Sequence, residues 1–145
     1  MNFVSQHQHI PSFAFINPTP HTSAAASPLA HGHAVEVRHF LRVVHLSEQG
    51  RKNRQGEIPP DFQEQVQYAF ENILFVLKEV DATILDLAVL RIYVVEYDAN
   101  KYQAVTQVMQ QLWENQPFPS CSLIPVPCLA LPDMLIAIEA TAYCL

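Results

Sequence analysis

His45, Ser47 and Glu48 set a basic ring, a hydroxyl and a carboxylate close together at the end of an apolar run. An imidazole and a carboxylate so placed could exchange a proton with a small molecule, which makes Glu48 a candidate general base and His45 its acid-base partner. The plainer alternative is a strand-end Glu48 facing water and a His45 held by a structural hydrogen bond. Cys121 could act as a nucleophile only if a neighbouring base or cation favoured its thiolate. No Lys or Arg lies near it in the sequence, so a small buried thiol is the expectation. All seven His fall at or before His45, and the pairs His7/His9 and His31/His33 would each put two rings on one face of a strand. No Cys or carboxylate with matching spacing joins them, so no metal and no other cofactor is expected.

The elements that must hold these groups are legible from periodicity. From Met1 to Val35 the only ionisable side chains are His, and Pro11, Pro18, Pro20 and Pro28 favour irregular backbone. Residues 1–12 read as a loose arm, residues 13–145 as one domain, and Phe13 to Asn17 as a short edge strand. Glu36 to Leu46 is β-branched and apolar and predicts one strand, followed by an exposed polar loop to Gly56. Phe62, Val66, Ala69, Phe70, Ile73, Leu74 and Leu77 form one stripe of a helix capped by Asp61 and running to Val80. Leu87 to Glu96 is a near-continuous apolar run, as for a strand covered on both faces. Asp98 caps a second helix reaching about Asn115, with Tyr102, Val105, Met109 and Leu112 inward and Trp113 in the core. Ser122 to Val126 and Met134 to Tyr143 complete the strands, and Pro125 puts the first of them at an edge. Arg91 needs a partner or access to water, and Glu139 on a neighbouring strand could supply one. The order predicts an α+β fold, a mixed β-sheet with two helices packed on one face.

With 145 residues, 50% of them hydrophobic, the chain suits one domain with a buried subunit contact. A net charge of -6 with only eight Lys plus Arg leaves no basic stripe for phosphates, so nucleic acid is not an expected partner. No stretch approaches the roughly 18 apolar residues of a membrane span, and no secretory signal is readable. Cys121, Cys128 and Cys144 form an odd set without disulfide spacing, which points to free thiols and a cytoplasmic setting.

Several of these segments, in order, resemble the Rid (reactive intermediate deaminase, or YjgF) family. Ile16-Asn17-Pro18 is similar to its opening strand, and Ala26-Ser27-Pro28 to its Tyr-Ser-Pro turn. Val44 to Gln49 resembles a strand ending in Ser-Gly-Gln. Asp61 to Gln65 with Glu71-Asn72-Ile73 looks like its long helix, and Tyr93 to Tyr102 like the strand entering its second helix. Phe118 to Ser122 resembles its Pro-Ala-Arg-Ser turn, and Ile136 to Ala140 its terminal Ile-Glu-Ile-Glu-Ala strand. The resemblance implies a homotrimer with an inner barrel and three clefts between subunits for a small-molecule substrate. It places Ala26, Ser27, Ser47, Asn100, Cys121, Ser122, Leu123, Ala137 and Glu139 at the cleft.

Departures from the family pattern fall at that implied cleft. In deaminating members an Arg clamps the substrate carboxylate; Cys121 stands there, and a neutral side chain does not replace a guanidinium fork. Ala137 replaces the first Glu of the last strand, Ala26 the Tyr of the turn, and Glu48 the Gly of Ser-Gly-Gln. An added carboxylate repels an acidic substrate at close range. The expectation is an enzyme of this architecture acting by proton transfer on a small, non-acidic metabolite in a dedicated biosynthetic pathway, for example by isomerisation, cyclisation, dehydration or hydrolysis. Its rivals are an imine deaminase of altered specificity and a non-catalytic, ligand-binding or chaperone-like trimer.

Overall fold

Apolar residues at three- and four-residue spacing build two helices in the computed structural model, which describes residues 11–16, 34–50 and 55–145. Helix α1 spans Phe62–Glu79. Its N-cap Asp61 accepts a hydrogen bond from the Glu64 amide at 2.9 Å, satisfying a donor that the first turn leaves open. At its other end Asp81 takes φ 53°, and the Ala82 and Asp81 amides turn back to the carbonyls of Leu77 and Lys78. That left-handed residue closes the helix without a glycine. Helix α2 spans Ala99–Trp113, and its N-cap Asp98 accepts from the Lys101 amide at 2.7 Å.

Among the described residues six strands accompany the helices: β1 (Ser12–Ile16), β2 (Ala34–Arg38), β3 (Arg42–Gln49), β4 (Leu87–Val95), β5 (Ser120–Val126) and β6 (Ile136–Cys144). The single strand expected over Glu36 to Leu46 is in fact two. His39 adopts φ 57°, a conformation no strand residue takes, so the chain leaves one sheet and enters another. Strands β1 and β2 form an antiparallel hairpin apart from the main sheet, with Phe13 facing Val37 and Phe15 facing Val35. The main sheet runs β3-β6-β4-β5. Its first three strands are antiparallel neighbours, while β5 lies parallel to β4 because α2 crosses between them. Pro125 sits on β5, at the sheet edge where its missing donor costs nothing.

Both helices cover one face of this sheet. Val66, Phe70, Ile73 and Leu77 of α1 and Val105, Met109 and Trp113 of α2 bury against Leu90, Ile92, Val94, Ile136 and Ile138. The Trp113 ring meets Phe70 edge-on, with centroids 6.2 Å apart. Full burial of each large side chain contributes about 1.5–3 kcal/mol, so this face supplies the main cohesion of the fold. The run Leu87 to Glu96, expected to be covered on both faces, is fully covered among the described residues on one: Arg91 is exposed, and Val89, Tyr93 and Val95 are half-buried.

A polar residue fastens the loops at the end of this core. Gln65 is fully buried although it belongs to α1. Its Nε2 donates to the carbonyls of Pro59 and Asp133 at 2.8 and 2.9 Å, and its Oε1 accepts from the Leu135 amide at 2.8 Å. The amide side chain thereby ties the entrance of α1 to the turn before β6. Gly50 performs a similar service by having no side chain: a Cβ there would fall 2.5 Å from the Ile136 carbonyl oxygen.

Replacing Gln65 by Leu should cost about 3 kcal/mol, because buried unpaired groups cost about 1–3 kcal/mol each. An unfolding free energy within about 1 kcal/mol of wild type, extrapolated linearly from urea denaturation, would show that the amide is dispensable. Gly50→Ala should lose about 1–3 kcal/mol by overpacking. An unchanged melting curve would mean that β3 can leave β6 freely at this point.

Candidate functional site

Side chains alternate across a strand, so each residue turned away from the helices lies on the sheet's other, open face. There β4 presents Arg91 and Tyr93, β6 presents Ala137, Glu139 and Thr141, and β5 presents Ser122 and Ile124. Register fixes their neighbours. Arg91 stands opposite both Glu139 and Ser122, Tyr93 opposite Ala137 and Ile124, and His45 opposite Thr141.

The end of β3 is shaped by a bulge. Leu46 pairs with Ala140 and Gln49 with Ile138, so Ser47 and Glu48 together oppose the single residue Glu139. This extra residue places Glu48 beside the polar row in the middle of the open face. The neighbouring glycine at position 50 allows the strand to close back onto β6.

Tyr93 reaches diagonally across to β6, and its hydroxyl donates to Glu139 Oε2 at 2.8 Å. Its phenol is held above the ordinary tyrosine range, first by that hydrogen bond, then by burial and by the Glu139 and Glu48 charges, with Arg91 opposing. Tyr93 is therefore a fixed donor at physiological pH, and Glu48 lies within electrostatic reach of it. His45 Nδ1 lies 3.2 Å from Thr141 Oγ1 in the adjoining row.

The residues singled out in the sequence divide between the two faces. Glu48, His45, Ser47, Ser122, Ala137 and Glu139 share the open side of the sheet, where Ala137 is wholly buried beside Tyr93. Cys121 turns the other way, opposite Leu90 in the core, and burial pushes its thiol up to about 12. Leu123 packs on the same core face. Asn100 is exposed in the first turn of α2, where Lys101 Nζ closes the preceding turn by donating to the carbonyls of Val95 and Glu96. Ala26, Ser27 and the histidines 7, 9, 31 and 33 lie outside the described residues.

One expected contact is replaced by another. Arg91 does stand opposite Glu139, but the ion pair is not formed: Glu139 takes the Tyr93 hydroxyl, and Arg91 extends to solvent. Tyr93 is a candidate that the sequence alone does not single out. Period-two alternation through Val89, Arg91, Tyr93 and Val95 was the available signal, hidden by the uniformly apolar residues between them.

Among the described residues no helix is long and apolar enough to cross a membrane. Residues 22–144 match the protein family described as Endoribonuclease L-PSP. Comparison with the curated proteins gives no match. Among solved structures, the chain is similar to YyfB from Yersinia pestis, a Rid-family protein described as of unknown function. The two share 34% identity with a TM-score of 0.81, over 92% of this chain and 98% of that one. The YjgF gene product of E. coli shares 24% identity with a TM-score of 0.64, over 71% and 81% of the two chains. A member of the YjgF/YER057c/UK114 family from Mycobacterium tuberculosis shares 24% identity with a TM-score of 0.60, over 91% and 99%. The two structures at 24% identity establish a common fold, and the match over residues 22–144 with the 34% identical relative goes further: this chain belongs to the YjgF/Rid family, described as Endoribonuclease L-PSP.

Proposed function

We propose that this chain is a Rid-type trimeric enzyme that moves a proton on a small, non-acidic metabolite, at a site completed where neighbouring subunits meet. The observation that carries the reading is the bulge that sets Glu48 beside the Tyr93–Glu139 pair on the sheet face turned away from the two helices. Glu48 is the general base, His45 its acid-base partner, and Tyr93 a donor that orients Glu139. A carboxylate base beside a fixed phenol suits isomerisation, cyclisation, dehydration or hydrolysis. Ser47 and Ser122 offer hydroxyls on the same side of the sheet, and Ala26, Ser27 and Asn100 would complete the cleft.

Two features argue against other chemistry. Cys121 cannot serve as a nucleophile while its thiol is buried and protonated. The family description names a ribonuclease, yet with eight Lys plus Arg against 14 Asp plus Glu this chain lacks the positive surface that RNA backbones require.

Wild-type protein incubated with a metabolite extract of its source cells should consume at least one neutral or basic compound, followed by mass spectrometry. Glu48→Gln should slow that conversion by about 100-fold or more at unchanged oligomeric mass, the usual scale for a lost general base. Undiminished turnover by the variant would remove Glu48 from the mechanism. Faster release of 2-ketobutanoate from fresh 2-iminobutanoate would instead place the chain with the deaminases. Native protein treated with iodoacetamide should be alkylated at the exposed Cys128 and spared at the buried Cys121 and Cys144. Rapid labelling of Cys121 would contradict its placement in the core.

A further inference from the structure

The hairpin of β1 and β2 does not close fully onto the rest of the chain. It stands apart from the main sheet and reaches the body through the side chains of its inner face. Phe13 and Phe15 are only half-buried there, with their rings near parallel and the centroids 6.4 Å apart. Beneath them lies a cavity of about 130 Å³, floored by Leu87 and the Trp113 ring and bordered by Leu85 and Gln116. Leu87 and Trp113 belong to the core under the helices, so the cavity is on the side of the sheet away from Glu48. Leu85 is 52% exposed, which gives it a mouth to solvent.

Its lining says what it would hold. Among the described residues around it all but Gln116 are apolar or aromatic, and the Gln116 side chain makes no hydrogen bond with another described residue. An unfilled apolar space leaves its lining atoms without contacts on one side, and a molecule that fills it restores them. An apolar cavity of about 150 Å³ is enough to admit benzene. With no charged group among the described lining residues, an ionised ligand would lose its water and gain no partner. We propose that this cavity binds a small, neutral, single-ring molecule of about six to eight non-hydrogen atoms, with its ring against Trp113 and one polar atom toward Gln116. The site shares no residue with the proton-transfer face and does not depend on that reading. A ligand in it touches hairpin and core together, and so fastens the one to the other.

Phenol and toluene, alike in size and different by one hydroxyl, test the site in the whole protein. Trp113 is the reporter, because it is the sole tryptophan of the chain and can be excited at its red edge, where neither probe absorbs. Each probe at millimolar concentration should change the Trp113 emission saturably and raise the melting temperature. Gln116→Leu should weaken phenol about tenfold, the scale of one hydrogen bond, and should not weaken toluene. Leu85→Asp sets a charge at the mouth and should weaken both probes tenfold or more. If circular dichroism shows that variant to be misfolded, Phe15→Ala removes part of the roof and carries the same expectation. Wild-type protein that gives no saturable response to either probe has a closed cavity, and the proposal falls. Toluene affinity unchanged in the Leu85 or Phe15 variant would place the probe elsewhere and overturn the site as well. Phenol affinity unchanged by Gln116→Leu would overturn the assigned orientation.

Discussion

The structure depends on the unequal treatment of the sheet's two faces. On one side α1 and α2 exclude water from Leu90, Ile92, Val94, Ile136 and Ile138, and that burial is the main cohesive force of the chain. Because both helices are committed there, neither is available to cover the other side. The polar row of Arg91, Glu139 and Ser122 sits in mid-sheet on the face that the helices do not seal. Fold and site are thus two results of one allocation of apolar area.

The helices were readable because two independent signals coincided in each. In α1 the stripe from Phe62 to Leu77 agreed with the cap at Asp61, and in α2 the stripe from Tyr102 to Leu112 agreed with the cap at Asp98. Strand existence was readable too, from β-branched runs and from Pro125 at the edge. What escaped was anything decided by a single backbone angle or by tertiary pairing. His39 breaks an unbroken apolar pattern through one left-handed residue. The bulge at Ser47 and Glu48 is defined only by where β6 pairs. Gln65 sits in the sequence as an ordinary polar helix residue, and its burial appears only once the Asp133 turn folds over it.

The same distinction governs the site. His45 and Glu48 could be picked out by proximity in sequence, whereas the face each side chain occupies depends on sheet register. Cys121 and Ser122 are adjacent in sequence and end on opposite faces, one in the dry core and one beside Arg91. The Arg91 and Glu139 positions were correctly expected to be neighbours, yet neighbouring positions did not make partners of the side chains, since Tyr93 competes for the same carboxylate. Local chemistry suggested candidates; long-range pairing decided their company.

The sheet order also bears on how the chain acquires its shape during synthesis. Strand β6 lies between β3 and β4 and follows both in the chain, and Arg42 of β3 pairs with Cys144. While a ribosome has yet to deliver residues 136–144, β3 and β4 have no shared neighbour and their backbone groups remain open for the wrong pairing. The nascent chain therefore carries two unpaired strand edges until β6 emerges, and the helices made earlier have only part of a sheet on which to settle.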